Sequence, residues 1–326
     1  MTLEEFLKVW NSTAETVLVY TSGSTGEPKL MLVEKKRMLN SARITCDFLG
    51  LQKGDTALLC MSLDYIAGKM MVVRALEREL QLVAVEPSGH PLRSLLTSPV
   101  GEKIVFAAMV PMQVFNSLQV PEECERLKAI RHLIIGGGAI DDALAQELKS
   151  FPHAVWSTYG MTETLSHIAL RRLSGEAASD WYTPFDSVKV SLSDEGCLVI
   201  DAPEVCAQQL VTHDMAELLP DGRFRIIGRK DNVICSGGIK IQAEEVERDL
   251  RPHFRVPYII SKRQDRKFGE VVVLLTEGDP QEARHICEAV LPKYHQPKVY
   301  VKVDKIPLTE TGKPARRQAE QLAKGE

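Results

Sequence analysis

Residues Tyr20 to Lys29 read YTSGSTGEPK, placing the hydroxyls of Thr21, Ser22, Ser24 and Thr25 and the glycines Gly23 and Gly26 ahead of a lysine. Glycine lets a backbone approach a ligand closely, and successive N–H groups form a nest for anions, so this stretch suits a polyphosphate, with Lys29 adding charge. The spacing departs from the GTPase-type loop. Counting from Gly23, the second-glycine position holds Pro28, and no Lys-Ser or Lys-Thr pair follows. A flexible Ser/Gly surface turn is the competing interpretation of the same residues.

Outward from the loop, strand and helix patterns alternate. Val17 to Tyr20 and Leu30 to Val33 predict short strands, and Lys36 to Leu49 carries Leu39, Ala42, Cys46 and Leu49 at helical spacing before Gly50. Thr56 to Met61, Gln81 to Val85, Lys103 to Met109 and His132 to Ile135 predict further strands, with a helix over Ala67 to Glu77. This rhythm predicts a layered α/β core. Beyond Asp231 the texture changes to short alternating strands and two amphipathic helices. Ala243, Val246 and Leu250 mark one apolar face; Ala283, Ile286, Val290 and Leu291 mark the other, behind Asp279-Pro280 as cap and first turn.

Composition narrows the function classes. A chain of 326 residues can bury a good core and divide into two domains. Net charge is −4 and no long basic block occurs, which argues against general nucleic-acid binding. Seven scattered cysteines, an odd number without close pairs, suit neither a disulfide framework nor a metal site, and point to the reducing cytoplasm. The acidic start MTLEEFLKVW lacks the pattern of an export signal, and no uncharged apolar run reaches the length of about 18 residues that a membrane helix needs.

Three further stretches follow the loop in order: Ser157-Thr158-Tyr159-Gly160-Met161-Thr162-Glu163-Thr164; Gly228-Arg229-Lys230-Asp231 running into Ser236-Gly237-Gly238-Ile239-Lys240; and Thr311-Gly312-Lys313. Together with the loop they resemble the adenylate-forming superfamily of acyl-CoA synthetases, aryl-CoA ligases and peptide-synthetase adenylation domains. The resemblance runs from Val17 to Arg317. It implies an α/β core over residues 1–229, with a reduced first subdomain because so little chain precedes the loop, and a smaller mobile α+β lid over residues 230–326, hinged at Asp231. A naturally compact chain and a shortened one both fit this start, and Met1 favours the former. Missing sheet coverage makes self-association an expectation.

The resemblance also implies roles. A carboxylic acid attacks the α-phosphorus of ATP, and a thiol then displaces AMP from the acyl-adenylate, with CoA or a carrier protein as acceptor. The loop residues would hold the β- and γ-phosphates, Thr162 would touch phosphate, and Glu163 would bind Mg2+, a role set against that of a capping glutamate. Gly137, Gly138 and Ala139 would line the base edge, with Tyr159 stacked on it and Gly160 beside it; a buried turn explains the glycines equally. Asp214 and Arg229 match ribose ligands, although His213 stands where relatives have glycine, which suits a surface histidine without a role. Lys313 would bridge charge during adenylation, then withdraw as the lid brings Gly237 and Gly238 to the pantetheine of CoA.

The acid pocket would be built from Tyr65, which replaces a histidine of many relatives, from Lys69, Gly136 and Ser157, with Arg74 nearby. A cation facing that pocket would suit a second carboxylate; solvent-facing cations are the alternative. The Ile66-Ala67-Gly68 helix and the Ser236 to Arg248 segment resemble most the o-succinylbenzoate–CoA ligase branch of menaquinone synthesis, whose acid has two carboxylates.

Overall fold

The computed structural model describes residues 1–20, 30–97, 103–138, 140–309 and 314–324. A capping box opens helix α1 (Leu3–Trp10): the Thr2 hydroxyl accepts from the Glu5 N–H while the Glu5 carboxylate accepts from the Thr2 N–H. Strands β1 (Thr16–Tyr20) and β2 (Leu30–Glu34) then pair antiparallel, Leu18 opposite Leu32 and Tyr20 opposite Leu30. Alternation sends Val17, Val19 and Val33 inward and leaves Leu18, Tyr20, Leu30 and Leu32 exposed. Helix α2 (Lys35–Leu49) stops at Gly50, whose φ of 66° takes the left-handed cap that glycine adopts without penalty.

The strands and helix predicted from periodicity form β3 (Thr56–Leu59), α3 (Ile66–Arg78), β4 (Gln81–Ala84), β5 (Phe106–Met109) and β6 (His132–Ile135), and the structure adds α4 (Pro111–Leu118), α5 (Pro121–Ala129), α6 (Asp142–Lys149) and β7 (Ala154–Gly160). With β8 (His167–Arg172) and β9 (Thr183–Pro184) the strands make one seven-stranded sheet in the order β4-β3-β5-β6-β7-β8-β9. Pairing is parallel from β4 through β7 and antiparallel for β8 and β9. Buried-strand residues Leu58, Ala107, Leu133 and Val155 pack with Val114, Leu127 and Leu148 of the covering helices. Parallel strands buried on both faces require such near-continuous apolar runs.

A four-stranded sheet follows in chain order: β10 (Lys189–Leu192), β11 (Cys197–Asp201), β12 (Leu210–Leu218) and β13 (Phe224–Arg229). The C-terminal part holds β14 (Val233–Ser236), β15 (Ile239–Gln242), α7 (Ala243–Leu250), β16 (Tyr258–Asp265), β17 (Gly269–Thr276), α8 (Pro280–Val290), β18 (Val299–Lys302) and α9 (Arg316–Lys324). Its sheet runs β15-β14-β17-β16, with β18 parallel to β17. The period of two sorts its side chains: Ile260, Val272 and Leu274 pack with α7 and α8, while Ile259, Val273 and Leu275 pack with Ala319 and Ala323 of α9.

By internal contacts the chain falls into two compact units. One comprises residues 1–191, 200–210 and 218–225; the other comprises 192–199, 211–217 and 226–326.

Candidate active site

Strands β3, β5, β6 and β7 are parallel, so the segments leaving their carboxyl ends share one edge of the sheet, where open α/β sheets bind ligands. Tyr65 leaves β3 as the N-cap of α3, and Tyr20, the last described residue before the loop, forms a parallel bridge with it. The helix start is tight: a Cβ on Gly68 would lie 2.3 Å from the Ser62 carbonyl oxygen.

Neither Lys69 nor Arg74 faces solvent; both are buried. Lys69 Nζ donates to the Asp64 carbonyl at 3.1 Å, and burial lowers its pKa against the pull of Asp64. Arg74 donates through one terminal nitrogen to Ser166 Oγ at 2.6 Å, and burial pushes its pKa down to about 10. Its Nε has no hydrogen-bond partner among the described residues.

Ser166 leads into a buried polar chain. Thr45 donates to the Ser41 carbonyl, so it accepts from His167 Nε2 at 3.1 Å. The other ring nitrogen, Nδ1, then accepts from Ser166 Oγ at 3.2 Å, which leaves the Ser166 oxygen to receive Arg74. This direction of donation needs a neutral imidazole. Burial first, and Arg74 second, hold the His167 pKa well below the ordinary range.

At the ends of β6 and β7, Ile135 pairs with Ser157. The next residue, Gly136, has no room for a side chain, since its Cβ would lie 2.3 Å from Thr158 Oγ1. Gly137 takes φ 79°, a conformation that glycine supplies freely, and Gly138 lies against Pro111. Ser157 is buried with its Oγ 2.8 Å from the Tyr182 hydroxyl. Tyr159 stands edge-on to Phe224 with ring centres 5.2 Å apart, and 5.8 Å from Tyr182.

After β7 the chain makes one tight turn. A Cβ on Gly160 would lie 2.2 Å from the Ser166 carbonyl oxygen. The Thr164 hydroxyl accepts from Met161 N–H at 3.0 Å and donates to the Ser166 carbonyl at 2.7 Å, while Leu165 is held at φ 66°. Positive φ in a branched residue is strain, which folds keep where geometry is over-determined. Thr162 is buried, and Glu163 is exposed beside a cavity of about 270 Å³ lined also by Met31, Glu34, Arg37 and Leu165. Met31 and Glu34 belong to β2, which directly follows the loop in sequence.

In the second unit, Arg229 donates to Asp214 Oδ1 at 3.2 Å and to Asp231 Oδ2 at 3.1 Å, so one guanidinium joins both expected carboxylates. His213 lies at the surface as expected, with Nδ1 3.0 Å from both oxygens of Asp231. Partial burial opposes ionisation of Asp231, yet the hydrogen bonds from His213 and Arg229 hold its carboxyl below the usual range. Gly237 and Gly238, at φ 58° and 85°, form the two-residue turn of the β14–β15 hairpin, a turn that demands positive φ at both positions.

Of the expected residues, Thr21, Ser22, Gly23, Ser24, Thr25, Gly26, Lys29, Ala139 and Lys313 lie outside the described residues. Among those described, no cluster of three metal-ligating side chains occurs. The exposed Glu163 carboxylate at its cavity suits magnesium, which takes one or two carboxylates with phosphate oxygens and keeps several waters. No helix among the described residues is long and apolar enough to cross a membrane. All seven cysteines are free thiols.

Sequence reasoning did not single out Thr45, Ser166, His167 or Tyr182. None stands in a recognisable spacing; each meets its partners only through the crossing of distant elements.

The family model described as AMP-binding enzyme matches residues 8–206. A 2-succinylbenzoate–CoA ligase from Bacillus velezensis is 26% identical over 342 aligned residues, covering 95% of this chain and 69% of the relative. The crystal structure of an acyl-CoA synthetase (AMP-forming)/AMP-acid ligase II-like protein from Dyadobacter fermentans is 30% identical, with a TM-score of 0.66 over 98% of this chain and 93% of the other. The o-succinylbenzoate CoA synthetase of Bacillus subtilis, 24% identical, aligns with TM-scores of 0.79 in complex with its acyl-adenylate intermediate and 0.76 in complex with ATP and magnesium ion. These cover 95% and 92% of this chain and 69% of the synthetase. At that identity the likeness is one of fold.

Proposed function

The chain belongs to the AMP-binding enzyme family, and from that premise we propose that it is an ATP-dependent, AMP-forming acid–CoA ligase whose acid is o-succinylbenzoate or a close aromatic diacid. The acid's carboxylate oxygen attacks the α-phosphorus and pyrophosphate leaves; the CoA sulfur then attacks the acyl carbon and AMP leaves. Both steps press anions together, so fixed donors and cations are what the protein supplies. The carrying observation is the Gly160–Leu165 turn, a strained, fully pinned segment that presents Glu163 at a cavity beside the strand following the Ser/Thr/Gly loop.

In this reading the loop, including Lys29, holds the outer phosphates and Thr162 touches phosphate. Glu163 would hold magnesium, which offsets phosphate charge when bound. Gly137, Gly138, Ala139, Tyr159 and Gly160 receive the adenine; Asp214 and Arg229 receive the ribose. Tyr65, Lys69, Gly136 and Ser157 form the acid pocket, where buried positive charge on Lys69, backed by Arg74, answers the carboxylate that is not activated. Lys313 serves adenylation, residues 230–326 swing about Asp231, and Gly237 and Gly238 admit CoA. The free thiols support a reducing, cytoplasmic setting.

ATP–pyrophosphate exchange across a panel of aryl and aliphatic acids tests the reading. Exchange driven by o-succinylbenzoate, followed by thioester formation with CoA, is expected. Absence of exchange with every acid would overturn it, and exchange with monoacids alone would overturn the diacid assignment.

A further inference from the structure

The chain passes from the four-stranded sheet to the five-stranded sheet through one turn, Lys230–Asn232, none of whose residues is buried. Each of its side chains is tied down. Lys230 Nζ reaches Glu195 at 2.5 Å, in the connection between β10 and β11. Asp231 accepts from Arg229 of β13 and from His213 of β12. Asn232 instead donates to Glu244 in the first turn of α7. Two residues of the linker are therefore held to the four-stranded sheet and the third to the helix that follows.

We propose that His213 is a positioning residue: it clasps the Asp231 carboxylate to β12 and thereby sets how readily the linker turns between the two half-reactions. The inference rests on the proposed ligase function for its kinetic consequence, but the clasp itself stands on geometry. Arg229 holds Asp231 from the end of β13, only two residues away in sequence. His213 adds the contact across the sheet, 18 residues distant in sequence, and so fixes the linker to a different strand. The guanidinium that shares Asp231 also holds Asp214, the neighbour of His213 in sequence, so the clasp joins the expected ribose ligand to the expected hinge. The charged groups facing this corner are Asp231, Arg229, Asp214, Glu195, Lys230 and Lys240. Both partners of the His213–Asp231 pair are partly exposed, at 58% and 47%, which makes the contact a weak and reversible one.

The test uses the full chain with His213→Ala, His213→Gly and His213→Gln, the last retaining a hydrogen-bond donor. Hydrogen–deuterium exchange of the peptide spanning residues 229–236 should quicken roughly two- to fivefold in the Ala and Gly variants and stay near wild type in the Gln variant, in keeping with the size of one exposed pair. In single-turnover kinetics with the acid that supports exchange, Ala and Gly should slow adenylate formation and speed thioester formation from supplied adenylate by similar factors. Unchanged amide exchange, or half-reactions that move in the same direction, would overturn the proposal. A wild-type protein inert toward every acid would defeat the ligase reading and the kinetic role built on it, while the amide-exchange result would still decide whether the clasp exists.

Discussion

Gly160 and Ser166 approach so closely that a Cβ at residue 160 would lie 2.2 Å from the Ser166 carbonyl oxygen and 2.5 Å from the His167 Cα. Both obstacles are backbone, and neither can swing away as a side chain could. The turn that carries Thr162 and Glu163 is thus closed by a glycine whose contribution is steric.

Gly160→Ala should therefore destabilise the protein by about 1–3 kcal/mol, the range for overpacking a tight site. Chemical denaturation followed by circular dichroism measures this. Gly238→Ala has open space around it, so its cost should come only from the positive φ and be smaller. Equal losses in the two variants would contradict the packing argument.

His167 makes the stability depend on pH. Its folded pKa is depressed by burial, so between that value and the ordinary imidazole value near 6.5 the unfolded chain binds one proton more. The contribution is complete above about pH 6.5 and is lost as pH falls from there toward the folded pKa, by at most about 1.4 kcal/mol per pH unit. His167→Gln removes the titration, and its unfolding free energy should decline less between about pH 7.5 and 5.5 than that of the wild type. Parallel declines would take His167 out of the account.

Lys69→Met keeps length while removing the buried charge. For o-succinylbenzoate the KM in pyrophosphate exchange should rise about tenfold or more, the scale of one hydrogen bond to a charged group, whereas monoacids that support exchange should change little. Equal effects on both acid classes would point to lost packing instead. A thermal melt of the same variant tells the two apart.

Glu163→Gln and Lys313→Ala separate two kinds of charge compensation. Glu163 is exposed at its cavity, so the Gln variant should keep wild-type stability while its exchange activity falls and its magnesium requirement rises. Lys313→Ala should abolish acid-dependent exchange yet spare thioester formation from supplied adenylate. Loss of both half-reactions together would refute that division of labour.

Much of the fold was legible in the chain because local physics dictates it. Apolar runs of four or five residues alternating with helical spacing specify a layered α/β core, and Gly50 and Asp279 mark a helix stop and start by backbone conformation and capping alone. The glycine pair Gly237-Gly238 stands out in the sequence, and the hairpin it closes by itself accounts for both residues. For the site, residue types and their order were enough to indicate nucleotide chemistry.

What the sequence alone determined about this protein was the alternation of its elements and the identity of its charged and glycine-rich segments, since both are written in near-neighbour spacing. Only the tertiary structure decided that Lys69 and Arg74 point inward, that His167 must stay neutral within the chain from Arg74 to Ser41, and that His213 faces Asp231. Those outcomes depend on which side of a helix or strand meets which distant element. Burial and hydrogen bonding act across space, and residue spacing along a single segment carries no record of them.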